Sequence, residues 1–239
     1  MNLKRFEEAI SSLRNLFKEE GFYKDPNRFE IDMFCRFIDY HSQVIIITSR
    51  LEEDIAEHDS FVKFILKCVK ENRKLSETEL ERYSLTLPRL MLDLSDFYVY
   101  TRIFLDTLTV CIKRSFESAG NKNWGIMEHS INCLLNEEKM QRYNDKIDSY
   151  FFKGLEKRLA WIPDFRNSRD GLVHNYHHFV FTSTRKCDLG YDIMDRIKTS
   201  WGTDTVKGIL KELQSTLDSL TDLVDYLYDN LPRRKEESG

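Results

Sequence analysis

Apolar residues recur at helical spacing along most of the chain. Phe6, Ile10, Leu13, Leu16 and Phe17 share one face of a segment from Leu3 to Glu20, which Gly21 ends. After the turn signal YKDPNRFE, a second helix is expected from Phe29 to about Glu57 on Phe34, Phe37, Ile38, Val44, Ile45 and Leu51. The run QVIIIT inside it is strand-like alone, but its flanks keep the helical period. A third helix is expected from Ser60 to Asn72, followed by the charged link ENRKLSETELER.

The pattern strengthens at Pro88, which suits a first helical turn, and apolar residues then cover more than one face as far as Phe116. That spacing marks Phe97, Tyr98, Tyr100 and Phe104 as core rather than as a base-stacking platform. SAGNKNWG reads as a loop, Met127 to Asn136 as a short helix, and Lys139 to Trp161 as a long one that Pro163 interrupts. YHHFVFTST and LGYDIMDRI, around RKCD, read as a β-hairpin. A last amphipathic helix runs from Asp204 to Leu231. The expected fold is mainly all-α: an N-terminal helical extension over 1–85, a helical bundle over 86–231 with a hairpin insertion, and a disordered tail over 232–239.

Composition narrows the function classes. With 41% hydrophobic residues the chain has ample material for a core, and the longest apolar run, Val44 to Ile47, is far short of a membrane span. No apolar signal-peptide core opens the chain, so a cytoplasmic protein with no membrane partner is expected. Five cysteines without a C-x-x-C pair point to reduced, packed thiols. No Walker loop, nucleophile elbow or G-x-G-x-x-G is present, which leaves P-loop, acyl-hydrolase and dinucleotide chemistry without a foothold. The net charge is −4, yet Lys153 to Lys186 holds seven basic residues against three acidic ones, a local +4.

That basic segment contains DFRNSRDGLVHNYHHFVF, Asp164 to Phe181. In a helix Arg166, Asp170 and His174 would follow at i, i+4 and i+8, a guanidinium, carboxylate and imidazole ladder. Arg169 lies about 140° around from His174, so both address one ligand only where the helix bends or ends, and Gly171 and Asn175 supply such a break. Imidazole moves protons near neutral pH, and guanidinium holds phosphate charge in a fixed fork. On RNA the substrate's own 2′-hydroxyl serves as nucleophile, so neither a metal nor a cofactor is called for.

Arg169, Asp170 and His174 match the R-x4-6-H signature, and with Tyr176 the form R-x4-H-x-Y, so the segment resembles the HEPN superfamily of helical ribonucleases and nucleotide-binding proteins. The resemblance covers roughly Pro88 to Leu231. It implies a metal-independent endoribonuclease, a toxin or defence effector, working as a homodimer with two motifs facing one cleft. Arg169, His174 and Asp170 would then be catalytic, and Arg166, Asn167, Asn175 and Tyr176 would support substrate binding. RNA is the implied partner, with an antitoxin or regulatory protein beside it. Tyr176 further suggests covalent nucleotide addition by a separately encoded enzyme.

Blander readings stand beside this one. The ladder is equally a surface ion-pair network, and the basic run a solvated helix face. His174, His177 and His178 invite a zinc reading, but H-x-x-H-H lacks a companion cysteine or an H-E-x-x-H context. Cys187 has basic neighbours in Arg185 and Lys186, yet no base partner for a nucleophile. Asp93 and Asp106 are acids on an apolar helix, either of which is placed to approach the motif's arginines. The rival function is a non-catalytic HEPN-like helical dimer that binds RNA, nucleotide or a protein partner.

Overall fold

The apolar period does not lapse at Asp59 and Ser60, so the two helices expected there are one. A computed structural model describes residues 2–19, 28–84, 86–167 and 203–233. It comprises α1 (Leu3–Glu19), α2 (Arg28–Lys70), α3 (Glu77–Ser84), α4 (Thr86–Ser118), a 3₁₀ turn (Trp124–Ile126), α5 (Ile131–Leu134), α6 (Glu137–Lys146), α7 (Ser149–Leu159) and α8 (Thr203–Asn230), with a further helical turn at 162–167. No strand occurs among the described residues, and the protein is a helical bundle. The expected hairpin lies outside the described residues, as does Cys187.

Inside α2, Ser60 does not cap a new helix: its hydroxyl donates to the Ala56 carbonyl at 2.9 Å, one turn back. Leu51, Ile55, Val62 and Ile65 carry one buried stripe past that point. The helix stops where Asn72 adopts φ 50° and the Arg73 amide donates to the Cys68 carbonyl.

The charged link holds a helix that charge alone hides. Ser76 and Glu79 form a capping box: the Ser76 amide donates to Glu79 Oε2 at 2.8 Å, and the Glu79 amide donates to Ser76 Oγ at 3.3 Å. Arg73 clamps the same carboxylate through both terminal nitrogens, at 3.1 Å.

Pro88 lies in the first turn of α4, where its missing N–H leaves no bond unmade. Gly120, at φ 77°, closes that helix by donating to the Glu117 carbonyl, while Asn121 donates to that of Phe116. Phe97, Tyr98 and Phe104 are core, as the spacing predicts, whereas Tyr100, expected with them, is only part-buried.

The long helix expected over Lys139 to Trp161 is broken in two. Asp148 leaves the helical conformation and accepts from the Phe151 amide at 2.9 Å, which starts α7 afresh. The helix expected from Met127 to Asn136 shrinks to α5, begun by Ser130 as N-cap.

The described residues fall into two compact units. One gathers 46–98, 164–167 and 203–215; the other gathers 2–45, 99–163 and 216–233. The second has an aromatic core in which the Phe37 ring stands 5.6 Å from Phe104 and 5.8 Å from Phe17, and Phe6 meets Phe104 edge-on at 6.1 Å. A second cluster packs Phe116 against Phe151 and Phe152, at 5.1 and 5.6 Å. Cys68, Cys111 and Cys133 are buried, as expected of packed thiols.

Candidate functional site

Of the residues singled out in the sequence, Arg169, Asp170, His174, Asn175 and Tyr176 lie outside the described residues, with His177 and His178. Arg166 and Asn167 are described, and both are exposed at the end of the helical turn 162–167. The residue before them, Phe165, is buried. Its ring lies 5.0 Å from that of Tyr98 on α4, whose hydroxyl donates to Glu212 Oε1 on α8 at 2.6 Å. The entry to the motif is therefore pinned to two helices of its own unit by an aromatic contact that places Arg166 and Asn167 at the surface.

The described part of the basic segment is divided between the two units. Lys153, Lys157 and Arg158 belong to α7 in one unit, and Arg166 belongs to the other. Among the described residues no three His, Cys, Asp or Glu side chains come together as a metal site, and no helix is long and apolar enough to cross a membrane.

Asp93 and Asp106 each have partners among the described residues, while Arg169 lies outside them. Asp106 accepts from the Ser130 hydroxyl at 3.0 Å and the Ile131 amide at 2.8 Å, fixing the start of α5, and pairs with Arg102 one turn away. Asp93, wholly buried, accepts from Arg50 on α2. Arg89 on α4 reaches back to Asp54 at 2.5 Å and to Glu57. The order Arg50, Asp54 against Asp93, Arg89 makes the two helix segments antiparallel and knits them with crossed ion pairs.

Sequence reasoning gave no warning that Asp54 and Asp93 would meet. Each carboxyl leaves its Oδ2 buried without another partner, and a proton on the Asp93 carboxyl lets it donate to Asp54. Burial is the main reason that the Asp93 carboxyl rises to about 6; the hydrogen bond and charge of Asp54 add to it, and Asp96 contributes, while Arg50 opposes it. The folded chain therefore binds this proton more tightly than the unfolded chain does. Its stabilising effect is complete below the ordinary carboxyl value near 4 and fades as pH rises to about 6. Asp93→Asn should remove that loss, so the difference in unfolding free energy between variant and parent should shift by roughly 2–3 kcal/mol in the variant's favour between pH 4 and pH 7. Urea titrations at each pH would measure it, and parallel pH curves for the two proteins would refute it.

Comparison of the chain with family models, curated proteins and solved structures yields no match.

Proposed function

We propose that the protein is a metal-independent endoribonuclease of HEPN type. The observation that carries the reading is the spacing of Arg169, Asp170 and His174. The motif also follows a helical turn anchored through Phe165 that leaves Arg166 and Asn167 exposed, in a protein whose described residues are mostly helical. His174 takes the proton of the substrate 2′-hydroxyl or delivers one to the leaving group; the 2′-oxygen bonds to phosphorus, the bond from phosphorus to the 5′-oxygen breaks, and that oxygen leaves as a hydroxyl. Arg169 holds the charge that gathers on the phosphoryl oxygens, and Asp170 orients the imidazole. Arg166, Asn167, Asn175 and Tyr176 position the strand. Two copies related by a twofold axis bring two motifs to one cleft, adding positive charge that one acidic chain lacks. An antitoxin or regulatory protein fits this reading as the partner that restrains a toxin or defence effector.

Purified protein is expected to cut single-stranded RNA in excess chelator, leaving a 2′,3′-cyclic phosphate or its hydrolysis product on the upstream fragment. DNA, and RNA methylated at the 2′-oxygen, should resist. Loss of cleavage in EDTA, or equal cleavage of DNA, would refute the mechanism. RNA binding with no cleavage under any condition would replace it with the non-catalytic binding module.

A further inference from the structure

Away from the motif, α7 and the C-terminal turns of α8 enclose an open groove of about 640 Å³. Helix α7 contributes Ser149, Tyr150, Lys153 and Lys157, which recur at three- and four-residue spacing on one face. Helix α8 contributes Tyr226 and Asn230, one turn apart. The wall of the groove depends on glycine at position 154. A Cβ there would fall 2.2 Å from the Tyr226 hydroxyl oxygen, so any side chain would displace the ring that forms the wall. Tyr226 is locked in place: its hydroxyl donates to the Phe151 carbonyl at 2.6 Å, and the Arg158 guanidinium stacks over its ring at 4.3 Å.

Arg158 is committed to the wall. Besides Tyr226 it donates to the Gly154 carbonyl at 3.1 Å and faces Asp222 at 3.6 Å. Lys153 and Lys157 are exposed and form no ion pair among the described residues. No carboxylate lines the groove, although the chain as a whole is acidic. Tyr150 is 81% exposed, an unusual position for a large aromatic ring, and it stands beside those two lysines. Two uncommitted ammonium groups, a flat accessible ring and the polar ends of Ser149 and Asn230 suit one ligand chemistry: a phosphate joined to a planar base. The volume lies within the range of small-molecule sites.

We propose that this groove is a nucleotide-binding site, in which Tyr150 stacks on the base and Lys153 and Lys157 hold the phosphate. The nucleotide is either free or one unit of a single strand. The site is independent of cleavage at the Arg169 and His174 motif.

Fluorescence anisotropy would test it with two probes, a fluorescent ATP analogue and a labelled octa-uridylate methylated at every 2′-oxygen. The second probe cannot be cut by 2′-hydroxyl attack, so its binding reads the groove whether or not the protein is a ribonuclease. Lys153→Glu and Lys157→Glu should each weaken binding about tenfold or more, and each should lower the salt dependence of binding to the strand by about one ion. Tyr150→Ala should weaken it about 5- to 100-fold. All three side chains are exposed, so folding should survive, with helix content checked by circular dichroism. Lys74→Glu changes the charge equally at an exposed position that does not line the groove, and should leave affinity within about twofold. Binding of the ATP analogue alone would assign a free nucleotide, and binding of the strand would assign a nucleotide unit within RNA. The proposal is overturned if neither probe binds at millimolar concentration, if Lys74→Glu weakens binding as much as the groove variants do, or if Tyr150→Ala has no effect.

Discussion

Replacing His174 with alanine is expected to slow RNA cleavage by about 10²- to 10⁴-fold, the contribution of a well-placed general acid or base. Imidazole moves protons near neutral pH, which neither the guanidinium of Arg169 nor the carboxylate of Asp170 does. Arg169→Lys tests the other half of the mechanism. Lysine keeps the charge but loses the planar fork, so the rate should still fall severely, and more than a simple change in ionic strength would explain. Asp170→Asn keeps shape and removes charge. Its effect should be smaller if Asp170 only orients the imidazole, and it should move the pH dependence of the rate to lower pH as the imidazolium loses a stabilising carboxylate. Single-turnover assays on a short labelled RNA would measure all three. A His174→Ala protein that cleaves at the parental rate, with its helix content preserved, would rule out the motif as the catalytic centre.

The largest expected loss of stability follows from Phe165→Ala. Phe165 is 5% exposed and sits at the last described turn before the motif, against Tyr98. Truncating a buried phenylalanine costs about 3–5 kcal/mol when the cavity cannot collapse. Collapse is hindered here, because the Tyr98 ring is held by its hydroxyl bond to Glu212 and by edge contact with Phe97 at 5.8 Å. Phe165→Leu keeps most of the volume and should cost less than about 1.5 kcal/mol. Urea denaturation of the two variants would check the difference. Equal midpoints for Phe165→Ala and the parent would show that the contact does not anchor the segment.

Much of the helical layout was readable because helices are built from local interactions. The spacing of Phe6, Ile10, Leu13, Leu16 and Phe17 gives α1, and the apolar run after Thr203 gives α8 within a residue of each end. The errors share a cause. At Ser60 a residue type that favours caps suggested a boundary, but the buried stripe continued and the hydroxyl turned back onto the preceding turn. At Asp148 the reverse happened: a continuous apolar pattern hid a cap that splits α6 from α7. The capping box of α3 was spelled out as Ser76 and Glu79, but lay in a stretch whose charge suggested a link. Cap residues are ambiguous alone, since the same side chain can start a helix or bond within one, and the surrounding burial decides which.

The candidate site divides in the same way. Sequence alone determined that the chain is mainly helical over the described residues, and it placed Arg169, Asp170 and His174 at a spacing that suggests phosphodiester chemistry. It also marked the basic run from Lys153. Only the tertiary structure decided that Asp93 meets Asp54 and Arg50, that Phe165 docks on Tyr98, and that Lys153 and Lys157 share a groove with Tyr226 and Asn230. The physical reason is one of range. A helix is specified by hydrogen bonds four residues apart and by the period of its own apolar face. Which side chains of two helices meet depends on their rotation and register, and these follow from the packing of every residue along both.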